Sequence, residues 1–299
     1  MSKCKQKIIS VSRRTDVPAF YSTWFAKRLD EGFAEVVNPF NANQVNKISL
    51  HPQDVSAFVF WTRNARPFFS NIHRLVDSGY RFYFHWTLNN YPHSLEPKNP
   101  SAARVIAAFH ELAHGITSEK IIWRYDPIIL SSETPLQWHV ENFHFLAEHL
   151  SGATQRCIFS FVDLYKKTKY ALKKLSEQGI ALFDASEDDQ RKLVAKLAEI
   201  SAQNGIQLAA CCEDALLPVD QIKKARCIDG QYLQQIYPDL PDVPEPKATR
   251  SQCGCSASVD IGAYDSCLFG CVYCYANRDF AGRSRARFQA HNPEDPRLI

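Results

Sequence analysis

Residues 120–127 read KIIWRYDP: a short run of apolar, β-branched and aromatic residues that closes on Arg124, Asp126 and a proline. The run is too short for a helix and too continuous for a half-exposed strand. It fits a strand buried on both faces. The same form recurs along the chain. KIISVSRRTD at 7–16 ends in Arg13, Arg14 and Asp16, AFVFWTRN at 57–64 ends in Arg63 and Asn64, and RFYFHWTLN at 81–89 ends in Asn89. RCIFSFVD at 156–163 ends in Asp163, IQLAACCED at 206–214 in Glu213 and Asp214, and ASVDIGAYDSC at 257–267 runs into a cysteine-rich stretch.

Helical patterns separate many of these runs, among them SAARVIAAFHELAHGI, PLQWHVENFHFLAEHL and SEDDQRKLVAKLAEISAQNG. The last opens on Ser186, followed three residues on by Asp189, and stops at Gly205, as a capped helix would. Strands alternating with helices predict a parallel sheet. About seven strands predict one α/β domain over residues 1–299, a TIM-like or partial (β/α) barrel, a fold that takes roughly 250 residues. FAEVVNPFNANQVNKISL at 33–50 reads as a hairpin turning at its asparagine-proline cluster. The proline-rich stretch at 237–255 reads as a surface loop or linker.

Barrel active sites collect at the C-terminal ends of strands. That position makes Arg13, Arg14, Asp16, Arg63, Asn64, Arg124, Asp126, Asp163 and Glu213 candidates for binding a cofactor or substrate. An arginine fork holds a carboxylate by two parallel hydrogen bonds, and Asp126, Asp163 or Glu213 could accept from an amine or ribose hydroxyls.

A net charge of +3 does not by itself point to nucleic acid, although NRDFAGRSRARF at 277–288 opens a basic C-terminal tail over 278–299. No stretch reaches the roughly 20 apolar residues of a membrane span, and no signal peptide is visible, so a cytoplasmic protein without a membrane partner is expected. HELAH at 110–114 matches H-E-x-x-H, but it lies on a surface-type helix with no third ligand nearby.

The ten cysteines are not evenly spread. Cys4 and Cys157 stand alone, and the other eight lie between Cys211 and Cys274. In a reducing compartment such crowding points to metal rather than to disulfides. CLFGCVYCYAN at 267–277 places Cys267, Cys271 and Cys274 at C-x₃-C-x₂-C, within a motif segment at 253–277. Three thiolates on a [4Fe–4S] cluster leave one iron open. Cys227, Cys253, Cys255 and one residue of the Cys211–Cys212 pair supply four more thiolates, enough for zinc or a second [4Fe–4S] cluster. Adjacent strand residues face opposite ways, and Cys212 lies nearer the strand end, so Cys212 is the expected ligand.

The C-x₃-C-x₂-C spacing, with Tyr273 before the third cysteine, resembles the radical S-adenosylmethionine (SAM) superfamily. YDSCLFGCVYCYAN is most similar to its spore photoproduct lyase-like branch. The whole chain also resembles an uncharacterised bacterial family of unknown function, through IISVSRRTDVPAF, NPFN, FWTRN, WRYDP, CCED and CGC…CVYCYAN. The superfamily resemblance implies a [4Fe–4S] cluster, SAM as cofactor and a one-electron donor such as flavodoxin or ferredoxin. It implies reductive cleavage of SAM to a 5′-deoxyadenosyl radical on an unknown substrate, with a nucleic-acid lesion or modified nucleotide suggested by the branch. The superfamily's cysteines follow the first barrel strand. Here they follow the last, which suggests a circularly permuted barrel, and a GGE-type string is absent. The other readings are a non-catalytic or electron-transfer iron–sulfur protein and a zinc-stabilised nucleic-acid-binding module.

Overall fold

The structure is a computed structural model describing residues 6–162, 173, 175–177, 179–240, 243–248 and 250–299. Asp163, a candidate by sequence, lies outside the described residues, as does Cys4. The first strand, β1 (Lys7–Val11), is followed by a hairpin of β2 (Phe33–Asn38) and β3 (Asn41–Ser49), antiparallel as its sequence predicts. Then come β4 (Val55–Thr62), β5 (Phe82–Thr87), β6 (Ile121–Ile128), β7 (Arg156–Phe161), β8 (Gln207–Ala210), the short β9 (Lys223–Lys224) and β10 (Ser258–Asp260). Apart from the hairpin they form one sheet in the order β10-β1-β4-β5-β6-β7-β8-β9. Every pairing in it is parallel.

Each predicted strand run is a strand, and the last run pairs with the first: Ile8, Ile9 and Ser10 lie opposite Ser258, Val259 and Asp260. Closure is not found. Among the described residues β9 and β10 are the sheet's two edges. With two and three residues they are too short to carry a hydrogen-bonded ladder further round, and the chain between Ala225 and Cys255 lies against the sheet instead.

Side-chain alternation divides the sheet into two faces. On one face Ile9, Val11, Phe58, Phe60, Phe82, Phe84, Trp86, Trp123, Tyr125, Phe159 and Leu208 form the main core. They pack against α2 (Ser22–Glu31), α3 (Phe69–Asp77), α4 (Ala102–Ile116), α5 (Leu136–Leu150) and α6 (Glu187–Gln203). Trp86 stacks on Phe109 of α4 at 5.1 Å and Trp123 on Phe143 of α5 at 4.7 Å. Burying an aromatic of this size contributes about 2–3 kcal/mol from lost water contact. α6 starts as its sequence indicates, with Ser186 Oγ accepting from the Asp189 amide at 3.1 Å. The opposite face carries Ile8, Ala57, Val59, Tyr83, Ile122, Ile158 and Ala209, covered by residues 225–257 with their short helix α7 (Gly230–Ile236). The described part of the proline-rich stretch is an ordered loop whose residues 245–248 are exposed, pinned where Lys247 donates to Cys255 O at 2.8 Å and Ala257 to Glu245 O at 2.9 Å.

One buried histidine gives a pH test of this core. His139 on α5 meets the Tyr125 hydroxyl at 2.8 Å and the Ile129 carbonyl at 2.9 Å, and burial lowers its pKa to about 4. An unfolded imidazole titrates near 6.5. Between these values the unfolded chain holds the extra proton, so stability is complete above pH 6.5 and is lost as pH falls toward 4. We expect a loss of about 2 kcal/mol from this residue between pH 7.5 and pH 5. Urea denaturation at the two pH values should show it, and His139→Gln should flatten the difference. An unchanged difference in that variant would assign the effect elsewhere.

Candidate metal centre

Residues 265–278, which follow β10, form a loop tied at its base. Asp265 N donates to Ala276 O at 3.0 Å, Asp265 Oδ1 accepts from Arg278 N at 2.6 Å, and Asn277 Nδ2 donates to Cys267 O at 2.8 Å. The Tyr21 hydroxyl, just ahead of α2, donates to Ser266 O at 2.7 Å. Gly270, at φ 69°, turns the loop between Cys267 and Cys271 in a conformation that side chains disfavour. Cys274 N then donates to Cys271 O at 3.1 Å, so the second and third cysteines share one tight turn.

The tyrosine inside the motif is the anchor. The Tyr273 hydroxyl accepts from Arg63 Nη2 at 2.6 Å and from Asn89 Nδ2 at 3.1 Å, and donates to Glu96 Oε1. Arg63 Nη1 also donates to Glu96 at 2.7 Å, and Val272 N donates to Leu95 O at 3.0 Å. Arg63 comes from the end of β4, Asn89 from just beyond β5, and Glu96 from the loop that follows. Three separate segments thus clamp the one aromatic side chain flanked by Cys271 and Cys274.

Burial holds all three thiols above their ordinary value, with Cys271 near 12, while the Arg63 cation opposes the rise at Cys271 and Cys274. The Cys267 thiol feels both Cys271 and Cys274. Three mutually sensing thiols on one tight loop, with a buried guanidinium to offset their charge, suit an iron–sulfur cluster as a donor set. Among the described residues, no group of three or more His, Cys, Asp or Glu side chains stands ready to hold a metal ion.

The other candidates divide by place. Arg13 and Arg14, beyond β1, flank Asp260 at the end of β10, each with Nε 3.9 Å from its carboxylate, and keep about a quarter and a fifth of their side chains exposed, at 25% and 21%. Asp260 had no part in the sequence argument, yet it accepts from Ser10 Oγ at 2.7 Å, Ser12 Oγ at 2.6 Å and Arg13 N at 2.9 Å. These bonds join the SRR turn to the strand that leads into the cysteines. The approach is close at Gly262, where a Cβ would lie 2.0 Å from Ser12 Oγ. Asp16 accepts from Ala19 N at 2.9 Å, capping α1 (Val17–Phe20), and from Arg63 N at 2.6 Å, and burial raises its pKa to about 7. Its partners are those of a structural group. Asn64 accepts from Arg66 N at 3.2 Å and lines, with Leu268 and Phe269 of the cysteine loop, Phe280 and Lys98, a cavity of about 690 Å³.

Arg124, Asp126 and Glu213 stand apart from the three-cysteine loop. Arg124 Nη2 donates to Asp126 at 2.6 Å and its Nη1 to Cys227 Sγ at 3.0 Å. Asp126 also accepts from Ser160 Oγ, and Glu213 accepts from Phe161 N at 2.8 Å. Asp126 N donates to Asn89 Oδ1 at 2.9 Å. Asn89 therefore links the Tyr273 clamp to the Arg124–Cys227 contact, a connection that no local sequence pattern reveals.

A second thiol group surrounds Cys227. Its Sγ lies 3.3 Å from Cys211 Sγ, and Cys255 is near enough to lower its pKa. Cys211 and Cys212 act on each other in the same way, and Cys253 lies within electrostatic reach of Cys255. Cys211, set aside by strand parity, is thus drawn in. β8 ends at Ala210, Cys211 N still pairs with Phe159 O at 2.9 Å, and Cys212 takes φ 58°, so both members of the pair meet. Arg250 Nε donates to Cys212 Sγ at 3.1 Å. The Cys212 pKa falls to about 6 through its bond with Cys211 and the nearby Arg250, and that of Cys227 falls well below its ordinary value through Cys211 and Cys255.

The C-terminal residues are also built in. Asp265 draws Arg283 to 3.6 Å and Arg278 to 3.9 Å, and Arg287 donates to Tyr264 O at 2.7 Å. Trp24 donates to Asp295 O at 2.9 Å, and Leu298 is buried. The expected basic tail is anchored to the fold, while Arg278, Arg283 and Arg285 remain exposed. His110 and Glu111 likewise have partners of their own, the His149 carbonyl at 2.7 Å and Arg66 at 2.7 Å.

Comparison with protein families matches residues 8–276 to one whose description is Domain of unknown function (DUF1848). The chain belongs to the DUF1848 family. No curated protein matches it. The DUF1848 match spans β1 through the three-cysteine loop, so both thiol groups fall inside it. Among the described residues no helix is long and apolar enough to cross a membrane.

Proposed function

We propose that this protein is an iron–sulfur enzyme of radical SAM type, with Cys267, Cys271 and Cys274 as the ligands of a [4Fe–4S] cluster. The observation that carries the reading is the clamp on Tyr273, which fixes a three-thiol loop beside a buried arginine at the C-terminal ends of β4 and β5. When bound and reduced, such a cluster supplies one electron for cleaving SAM and leaves one iron open to the cofactor. We read the sheet as a partly closed, circularly permuted barrel, a reading supported by the parallel pairing of β10 with β1.

The chain's own residues divide the remaining work. Arg63 is saturated by Glu96 and Tyr273, so it acts as a positioning residue that also offsets thiolate charge near Cys271. Arg13 and Arg14 retain exposed guanidinium surface and are placed to hold a cofactor carboxylate. The cavity beside Leu268 and Phe269, with Phe280, Lys98 and Arg285 on its wall, offers aromatic faces and cations to an anionic substrate. A small electron-carrier protein of flavodoxin or ferredoxin type would supply the electron.

The test is anaerobic reconstitution, dithionite reduction and addition of SAM. The expected results are a SAM-dependent change in the EPR signal of the reduced cluster and the appearance of 5′-deoxyadenosine. A fully loaded cluster that gives neither would leave an electron-transfer iron–sulfur protein as the reading.

A further inference from the structure

We infer that Cys211, Cys212, Cys227 and Cys255 form a tetrathiolate site for a single zinc ion, separate from the three-cysteine loop. The Cys211 and Cys227 sulfurs lie 3.3 Å apart, and each has a further cysteine near enough to act on its pKa, Cys212 beside Cys211 and Cys255 beside Cys227. The chemistry of such a set is soft and suits zinc, copper(I) or iron–sulfur species. Spacing favours a single ion over a multi-iron cluster. A tetrahedral ion with Zn–S near 2.3 Å places its sulfurs about 3.8 Å apart. The Cys211 and Cys227 sulfurs, 3.3 Å apart, need to part by only about 0.5 Å to reach that spacing. A multi-iron cluster would have to force them much farther apart within a tightly packed region.

Charge balance agrees. Four thiolates around Zn²⁺ carry a net charge of −2, and two guanidinium groups already touch the sulfurs. Arg124 donates to Cys227 and Arg250 to Cys212, at 3.0 and 3.1 Å. Loading the site forms four Zn–S bonds and releases to solvent whatever protons the thiols still hold. Among the described residues the four side chains do not stand in an ion-ready geometry, so loading requires them to close around the ion. The location gives the ion a task. Cys211 and Cys212 follow β8 directly, while Cys227 and Cys255 bracket the segment that covers this face of the sheet, so one ion would clasp that segment to the strands.

Full-length protein purified without chelator should contain about one zinc per chain. Cobalt substitution should give the intense bands of tetrahedral thiolate coordination. Cys227→Ser and Cys255→Ser should each lose the metal, and circular dichroism would show whether they remain folded. Peptide-resolved alkylation of the wild-type chain avoids that concern: zinc should protect these four cysteines, and chelation should expose them. Measuring zinc in Cys271→Ser protein separates this site from the proposed cluster, because zinc should stay when the loop's iron is gone. Iron with sulfide lost on Cys227→Ser, alkylation unaffected by chelation, or a Cys211–Cys227 disulfide in protein purified without chelator would each overturn the inference.

Discussion

Replacing Cys271 with serine is expected to strip reconstituted protein of most of its iron and acid-labile sulfide, and to reduce SAM cleavage to background. Burial and the Glu96 carboxylate raise the cost of the middle cysteine's thiolate, while Arg63 lowers it. A serine hydroxyl in this place is a harder and far more basic ligand, poorly matched to iron–sulfur chemistry. The fold should survive, because the loop is held by Tyr273, Asn277 and Asp265 and not by the thiol. An unchanged far-ultraviolet spectrum with iron absent is therefore the expected pair of results. Retention of full iron and sulfide in the variant would remove Cys271 from the ligand set.

Arg63→Ala should cost about 3–5 kcal/mol of folding stability, the range seen when one partner of a buried ion pair is removed. Glu96 is 3% exposed and Arg63 only 14%, so neither charge can turn to water. Without the guanidinium, Glu96 keeps the amides of Asn89 and Asn99 and the Tyr273 hydroxyl, but loses its only cation within ion-pair distance among the described residues. Tyr273 loses its Nη2 donor, and the cysteine loop loses its tightest fixed point. Arg63→Lys should fall between, since an ammonium restores the charge but cannot bridge Glu96 and Tyr273 with a planar fork. Urea midpoints for the three proteins give the ranking. A loss below about 1 kcal/mol in the alanine variant, the range of exposed pairs, would mean that the clamp is not what holds the loop.

Much of this architecture is legible along the chain because the strands of a parallel sheet are buried on both faces. KIISV, AFVFWT, FYFHWT and IIWRY announce themselves through continuous apolar character, and the intervening amphipathic stretches mark the covering helices. The C-x₃-C-x₂-C string and its tyrosine are likewise local, because ligands on one loop must be close in sequence. Whether the sheet closes was not legible, since closure depends on how far its edge strands extend. β9 and β10 have only two and three residues, and described residues between Ala225 and Cys255 cover one face of the sheet.

The second thiol group shows where local reading ends. Strand alternation assigns Cys211 and Cys212 to opposite sides, and it fails because the strand stops at Ala210 and Cys212 adopts a left-handed turn. The roles of the strand-end charges also waited for the fold. Arg63, Arg124 and Asp16 look equivalent as polar residues near strand ends, yet Arg63 grips Tyr273, Arg124 reaches Cys227, and Asp16 caps a helix. Asp260 and Glu96, the acceptors that organise the SRR turn and the cysteine loop, carry no local signature at all. Sequence by itself determined which residues are buried in strands and which thiols share a loop, because both follow from short-range periodicity and spacing. Only the tertiary structure decided which charges meet, because partners as far apart as Arg63 and Tyr273 are selected by sheet order and by the desolvation that forces each buried charge to find one.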